Sequence, residues 1–165
     1  MFPIGSQGPG ERCAGRMATP LCAYIALGGE VSKSPETDDS RWLMRILVAD
    51  DDRVVVHLVA GLLRARGHQV VPVFDAMQAF MFAVRPPPPD VVILDINMPG
   101  GTGIEALKRL KSSLNTALIP VIILSGSTDA EMPQKVKTLG ADEFLRKPVD
   151  QGALFAALDK VLPRR

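Results

Sequence analysis

Residues 91–99 read Val-Val-Ile-Leu-Asp-Ile-Asn-Met-Pro, an apolar run that ends in a carboxylate, Asp95. A run of aliphatic residues without polar alternation is typical of a strand that is buried on both faces. Similar runs occupy residues 46–49, 70–73 and 121–124, with a shorter one at 144–145, so that a strand recurs about every 25 residues. The segments between these runs must therefore supply the layers that cover the strands.

Those segments carry apolar residues at helical spacing, and three of them are followed by residues that stop helices. Gly67 ends the first segment, prolines 86–89 end the second, and Gly140 ends the fourth. Right-handed crossovers then place helices on both faces of a parallel sheet. The sequence thus predicts an α/β fold, a (βα)5 doubly wound five-stranded parallel sheet of the flavodoxin-like kind. The predicted inward faces are Val55, Leu58, Val59 and Leu62; Ala76, Ala79, Phe80 and Ala83; Ile104, Leu107 and Leu114; Met132, Val136 and Leu139; and Leu154, Ala157, Leu158 and Val161.

Composition limits the classes of protein that the chain can represent. The 165 residues include 47% hydrophobic and 22% charged residues, which is typical of a globular protein with one domain and an appendage. The formal net charge of +1 gives no general attraction to nucleic acid or to an anionic membrane. Because no run of 18 apolar residues occurs, we expect a soluble protein without a transmembrane helix.

The first 43 residues differ from the rest, because glycines and prolines interrupt every candidate helix and strand. We predict a disordered or weakly structured N-terminal extension over 1–43 and a folded domain over 44–165. Two alternatives stay open: translation that begins at Met44, and a signal peptide with its apolar part at residues 21–27. Cys13 and Cys22 lie within the extension, and this sparse use of cysteine favours a cytoplasmic protein.

Polar residues follow the predicted strands at their carboxyl ends, where open parallel sheets bind ligands. Asp50, Asp51 and Asp52 follow the first strand, and Asp95 closes the third. Such carboxylates repel one another by about 4 kcal/mol per close pair at an effective dielectric constant near 20, so they need a cation. Oxygen ligands favour Mg²⁺. Some residues at these ends are expected to be helix N-caps instead, namely Asp52, Asp75, Thr102, Thr128 and Asp150.

Two further polar residues complete the predicted site. Ser125 follows the fourth strand and supplies a hydroxyl, and Lys147 follows the fifth strand and supplies a fixed positive charge. A carboxylate nucleophile, a divalent metal, a lysine and a hydroxyl around one point suit an incoming phosphoryl group.

Four segments in this order resemble the receiver domain of two-component response regulators, over residues 45–162. They are residues 46–52, Ile-Leu-Val-Ala-Asp-Asp-Asp; 92–99, Val-Ile-Leu-Asp-Ile-Asn-Met-Pro; 120–126, Pro-Val-Ile-Ile-Leu-Ser-Gly; and 140–148, Gly-Ala-Asp-Glu-Phe-Leu-Arg-Lys-Pro. The resemblance implies that Asp95 accepts a phosphoryl group, with Mg²⁺ held by Asp50, Asp51, Asp95 and the main-chain carbonyl of Asn97. It also implies that Ser125 is the switch hydroxyl, Phe144 the switch aromatic and Lys147 the phosphate partner.

The sequence departs from the family pattern at two places. Arg53 stands where proline often follows the acidic cluster. Residues 100–103, Gly-Gly-Thr-Gly, replace a segment that usually ends in Asp-Gly. We therefore expect a more flexible loop there, with the main chemistry retained.

The resemblance implies a signalling domain of a phosphorelay that assists its own phosphorylation and dephosphorylation and is not otherwise an enzyme. A sensor histidine kinase or a phosphotransfer protein would donate to Asp95. Since no further domain is expected after residue 162, the output is expected to be a partner protein. It would bind the fourth helix, fifth strand and fifth helix, with no direct contact to nucleic acid or membrane.

Two alternative functions remain open at this point. One is a phosphohydrolase of the haloacid dehalogenase type, although residues 95–97 lack the second carboxylate of that class. The other is a receiver-like binding module that is never phosphorylated. His57 and His68 are interpreted as structural, and prolines 86–89 as a connector rather than a polyproline ligand.

Overall fold

The computed structural model describes residues 43–98 and 101–162. Strands and helices alternate along this part of the chain. The strands are β1 (Arg45–Ala49), β2 (Gln69–Val73), β3 (Val91–Asp95), β4 (Val121–Ser125) and β5 (Glu143–Arg146). The helices are α1 (Arg53–Ala65), α2 (Ala76–Val84), α3 (Gly103–Ser112), α4 (Met132–Thr138) and α5 (Gln151–Val161).

The five strands form one parallel sheet in the order β2-β1-β3-β4-β5. Buried residues of α2, α3 and α4 form one core cluster with the strands, and buried residues of α1 and α5 form a second cluster. These two clusters lie on opposite faces of the sheet, since successive strand residues alternate between them. The predicted doubly wound (βα)5 fold is therefore confirmed.

Burial on both faces holds for the central strands but not for the edges. Every residue of β3 and β4 is buried, whereas β2 is exposed at Gln69 and Pro72 and β5 is at most half-buried. The prediction of full burial was wrong for β2 and β5 because each strand has a neighbour on one side alone. Pro72 suits this edge position, since proline cannot donate a hydrogen bond to a second neighbouring strand.

Two predicted inward faces also differ from the structure. In α1 the buried residues are Val56, Val59, Ala60 and Leu63, and Leu58 is 52% exposed. The run of valines and leucines in α1 allows more than one apolar face, and contact with the sheet selects between them. Leu114 is 98% exposed and lies beyond the end of α3, so its assignment to the core was wrong.

The helix caps follow the predictions at four of five positions. The side chains of Asp52, Asp75, Thr102 and Asp150 each accept a hydrogen bond from a main-chain N–H in the first turn of their helices. The prediction for Thr128 was wrong, because α4 starts at Met132 and Glu131 occupies its N-cap without a side-chain hydrogen bond. This is the one helix of the described chain whose N-terminus lacks a capping side chain.

Several sequence predictions concern residues outside the described ranges. The proposed N-terminal extension, with Cys13 and Cys22, lies outside them except for Leu43, as do Pro99 and Gly100 of the variant loop. Within the described residues, no helix is both long enough and apolar enough to cross a membrane. Prolines 86–89 connect α2 to β3.

Candidate functional site

The carboxyl ends of β1 and β3 bring two carboxylates side by side. The two strands are neighbours, with Ala49 opposite Leu94. The residue after Ala49 is Asp50, and the residue after Leu94 is Asp95. Asp50 is fully buried and Asp95 is 2% exposed. Strand pairing thus forces together two acidic groups that lie 45 residues apart in sequence.

A third carboxylate completes the acidic cluster. Oxygen atoms of Asp50, Asp51 and Asp95 all lie within 4.8 Å of one another, and Asp51 is exposed at the rim. Main-chain donors hold the two buried carboxylates in place. The N–H of Asp52 donates to Oδ1 of Asp50 at 3.0 Å, and the N–H of Asn97 donates to Oδ2 of Asp95 at 2.8 Å.

Lys147 bridges the two buried carboxylates. Its Nζ lies 2.6 Å from Oδ2 of Asp50 and 2.9 Å from Oδ1 of Asp95, and its side chain is 21% exposed. The main-chain N–H of Lys147 donates to the carbonyl oxygen of Ser125 at 2.8 Å, which extends the β4–β5 pairing by one residue. Pairing therefore fixes the backbone of Lys147, and its side chain reaches past β4 to the end of β3.

The cluster and the lysine change each other's protonation. Burial raises the pKa of Asp95 above its ordinary value of 3.8, and the charge of Asp50 raises it further, against the opposing effect of Lys147. Burial lowers the pKa of Lys147, but its hydrogen bonds to Asp50 and Asp95 outweigh that effect and raise it above 10.5. Lys147 is thus a permanent cation here, and the negative charge of Asp95 is costly without more positive charge nearby.

This donor set fits Mg²⁺. The ion prefers oxygen ligands, and the described cluster offers carboxylate oxygens from three residues in one place. One member is exposed, so that an ion can reach the cluster from solvent and keep some of its water ligands. The raised pKa of Asp95 gives a further reason for this group to bind a cation.

Ser125 and Phe144 lie on the strands next to the cluster. Ser125 is fully buried at the end of β4, and its Oγ accepts a hydrogen bond from the N–H of Ser127 at 3.0 Å. Phe144, on β5, is partly buried against the core cluster that contains α2, α3 and α4. A groove of about 300 Å³ lies beside it and is lined in part by Val136 and Ala141.

Gly103 is a structural requirement of the site that the sequence analysis did not identify. A Cβ atom at residue 103 would overlap the carbonyl oxygen of Asp95 and lie 2.8 Å from Cα of Ile96. The N–H of Gly103 also donates to the carbonyl oxygen of Ile96 at 2.7 Å. The first turn of α3 thus packs directly on the backbone of Asp95, and the glycine that ends the variant loop was the signal for it.

The two histidines lie outside this cluster. His57 is on α1, where its Nδ1 lies 2.6 Å from the carbonyl oxygen of Arg53. His68 is buried just before β2, at the opposite end of the strands. Arg53, at the other departure from the family pattern, stacks on the ring of Phe74 at 4.8 Å.

A family model of the response regulator receiver domain matches residues 46–159 of this chain. The chain belongs to the response regulator receiver family. Receiver domains act in phosphorelay signalling, and the matched range contains every residue of the cluster described above. The resemblance drawn from the four sequence segments is therefore confirmed.

Relatives of known structure and sequence agree with this assignment. Protein PilH of Pseudomonas aeruginosa is 36% identical over 122 residues, which cover 73% of this chain and 98% of PilH. The phosphate regulon regulator PhoB of Escherichia coli is 33% identical over 120 residues, but this receiver chain spans only 52% of PhoB. The chemotaxis response regulator CheY4 of Vibrio cholerae is 30% identical and superposes with a TM-score of 0.68, covering 73% of this chain and 100% of CheY4.

Proposed function

We propose that this receiver accepts a phosphoryl group on Asp95 from a phosphohistidine of a sensor kinase or of a phosphotransfer protein. A carboxylate oxygen of Asp95 forms the new O–P bond, the N–P bond of the donor breaks, and the imidazole nitrogen keeps the electron pair. The observation that carries this proposal is Lys147, whose Nζ lies within 3 Å of both Asp50 and Asp95. It supplies positive charge where the transferred group gathers negative charge.

The other cluster residues take roles that follow from their positions. Asp50, Asp51 and Asp95, with the main-chain carbonyl of Asn97, would hold Mg²⁺, which neutralises charge on the transferred group when bound. The N–H of Asn97 holds Oδ2 of Asp95, so the carboxylate keeps one orientation towards the donor. A held carboxylate reacts with less loss of entropy than a free one.

The output surface in this proposal consists of α4, β5 and α5. The groove beside Phe144 lies between α4 and β5 and presents Val136 and Ala141 together with polar groups. A change at Ser125 would reach this groove through Phe144, which lies on the strand paired with β4. A protein partner would sense the phosphorylated state there.

The experiment incubates the full chain with Mg²⁺ and acetyl phosphate and follows the intact mass over time. We expect up to one phosphoryl group on each wild-type molecule, present while acetyl phosphate remains and lost slowly after its removal, and none on the Asp95→Asn variant. Asp90→Asn is the matched control, since Asp90 is an exposed aspartate just before β3 and should leave phosphorylation unchanged.

Other outcomes would favour the alternative functions. Release of inorganic phosphate over many turnovers without any detectable modified chain would indicate a phosphohydrolase. An unmodified wild-type chain would indicate a binding module, and a phosphorylated Asp95→Asn chain would remove Asp95 from the proposed role.

A further inference from the structure

The loop between β4 and α4 contains a regular series of hydrogen bonds from main chain to side chain. The N–H of Ser127 donates to Oγ of Ser125 at 3.0 Å, and the N–H of Asp129 donates to Oγ of Ser127 at 3.1 Å. The N–H of Glu131 then donates to Oδ1 of Asp129 at 2.9 Å. We call these three bonds the loop ladder. It runs without a gap from the hydroxyl of Ser125 to the N-cap residue of α4.

We propose that Ser127 and Asp129 are positioning residues that couple the hydroxyl of Ser125 to the N-terminus of α4. This proposal rests on the phosphorylation of Asp95 proposed above. The loop ladder links each alternate residue from 125 to 131, so a rotation of one side chain displaces the next amide along the loop. Each bond holds a two-residue segment, and together they transmit movement over a loop without regular secondary structure.

The start of α4 makes this coupling effective. Glu131 caps α4 without a side-chain hydrogen bond, and the helix has seven residues with one buried side chain, Val136. A short helix with few buried groups is held weakly by its own contacts. The last bond of the loop ladder therefore acts together with the packing of Met132 on the core to fix the first turn.

Ser125 provides the first acceptor of the loop ladder, so a movement of its side chain would start the change in the loop. Its side chain is fully buried beside the end of β3, where Asp95 is the residue that follows Leu94. When the side chain of Ser125 rotates about its Cα–Cβ bond to donate to a phosphoryl oxygen, its own oxygen moves, and that oxygen is the acceptor for the N–H of Ser127. The amide of Ser127 then has to follow that oxygen or lose its bond. In both cases the loop changes first at Ser127.

Thr128, which the sequence predicts to be a helix cap, takes no part in the loop ladder. This residue is exposed and lies between Ser127 and Asp129, so it provides a matched control within the same loop. Thr128→Ala removes one hydroxyl from the loop but removes no acceptor of the ladder. Ser127→Ala and Asp129→Ala each remove one acceptor.

The test measures amide chemical shifts of the full chain by NMR, before and after adding Mg²⁺ with beryllium fluoride, a mimic of the phosphoryl group. In the wild type we expect shift changes at Ser125 and through α4. In Ser127→Ala and Asp129→Ala the changes at Ser125 should persist, whereas those over 132–138 should fall at least about twofold, since one hydrogen bond of the path is lost. Ser127→Thr and Asp129→Asn, which keep an acceptor oxygen, should restore the α4 response.

A second measurement tests the loop ladder in the unmodified protein. Amide hydrogen exchange at Asp129 should be faster in Ser127→Ala by about fivefold, the factor expected for one lost hydrogen bond, and unchanged in Thr128→Ala. Equal α4 responses in wild type, Ser127→Ala and Asp129→Ala would overturn the proposal. An equal loss of response in Thr128→Ala would also overturn it, because any loop substitution would then have the same effect.

Failure of the proposed function gives a different result from failure of the loop ladder. If the wild type shows no shift change at Asp95 and its neighbours with the mimic, the proposed phosphoacceptor role fails. If that change occurs and α4 responds equally in every variant, the loop ladder alone fails.

Discussion

Replacing Gly103 by alanine places a methyl group where the backbone at the end of β3 already lies. The new Cβ would overlap the carbonyl oxygen of Asp95 and lie 2.8 Å from Cα of Ile96 and 2.9 Å from the carbonyl carbon of Asp95. These are main-chain atoms, which cannot rotate away as the end of a side chain can. The substitution must therefore move α3 away from the sheet or move Asp95 itself.

The size of the effect follows from these distances. Non-bonded carbon atoms pack at about 3.5–4.0 Å, so the backbone would have to shift by about 0.7 Å or more. Such overpacking costs about 2–3 kcal/mol, and the helix propensity of alanine returns little because Gly103 is the first residue of α3. A net loss of about 2 kcal/mol lowers Tm by about 8 °C in a domain of this size.

Function should suffer beyond the loss of stability. A displacement of this kind at a reacting group costs about 10- to 100-fold in rate, so phosphorylation of Asp95 by acetyl phosphate should slow by that factor at temperatures where the variant is folded. Thermal unfolding followed by circular dichroism gives Tm, and intact mass over time gives the rate. Gly61→Ala is the matched control, because a Cβ there meets no atom within 4 Å. It should raise Tm by about 4 °C, as expected for alanine in a helix interior.

Two results would refute this reasoning. A Gly103→Ala protein that melts within about 2 °C of the wild type would show that α3 does not press on the end of β3. A large loss of Tm with an unchanged phosphorylation rate would show that α3 supports the fold without positioning Asp95.

Three further substitutions test the site and the fold. Asp95→Asn should raise Tm at pH 7, because the pKa of Asp95 is raised in the folded protein and the wild type therefore loses stability as pH rises through that pKa. The gain should vanish in melts well below pH 3.8, where Asp95 is neutral in the folded and in the unfolded chain. Lys147→Gln should lower the free energy of unfolding by about 3 kcal/mol in urea titrations without Mg²⁺, the low end of the cost of breaking a buried ion pair because Lys147 is partly exposed, and a wild-type value would contradict the bridging role. Asp142→Ala should cost about 2 kcal/mol, since its carboxylate accepts from the N–H of Val121 and from Lys111, whereas Asp142→Asn should retain the first bond and lose less.

Much of the fold was predictable because its signals are local. Apolar runs without alternation marked the strands, and their spacing left room for one helix after each strand. The residues that end the strands also pointed to the site, since the carboxyl ends of parallel strands lie together. The sequence therefore predicts that Asp50, Asp95 and Lys147 lie at one end of the sheet.

The predictions that were wrong rested on local sequence patterns that are compatible with more than one structure. Thr128 has the residue type of a helix cap, but α4 begins at Met132, and in the loop before it the side chains of Ser127 and Asp129 accept the main-chain hydrogen bonds. On α1, valines and leucines on adjacent faces gave no unique inward face, and Leu58 proved to be exposed. Which face of a helix turns inward depends on its contacts with the sheet, and these contacts cannot be deduced from the sequence of the helix alone.

By itself, the sequence determined the order of the elements, the membership of the receiver family and the residue types at the carboxyl ends of the strands. These depend on apolar periodicity and on motifs whose residues lie close together in the chain. Only the tertiary structure decided which strands are edges, how Lys147 bridges Asp50 and Asp95, and that Gly103 leaves no room for a Cβ atom. The physical reason is that burial, ion pairing and steric contact depend on distances between atoms far apart in sequence, and those distances exist only once the sheet has formed and the helices have packed on it.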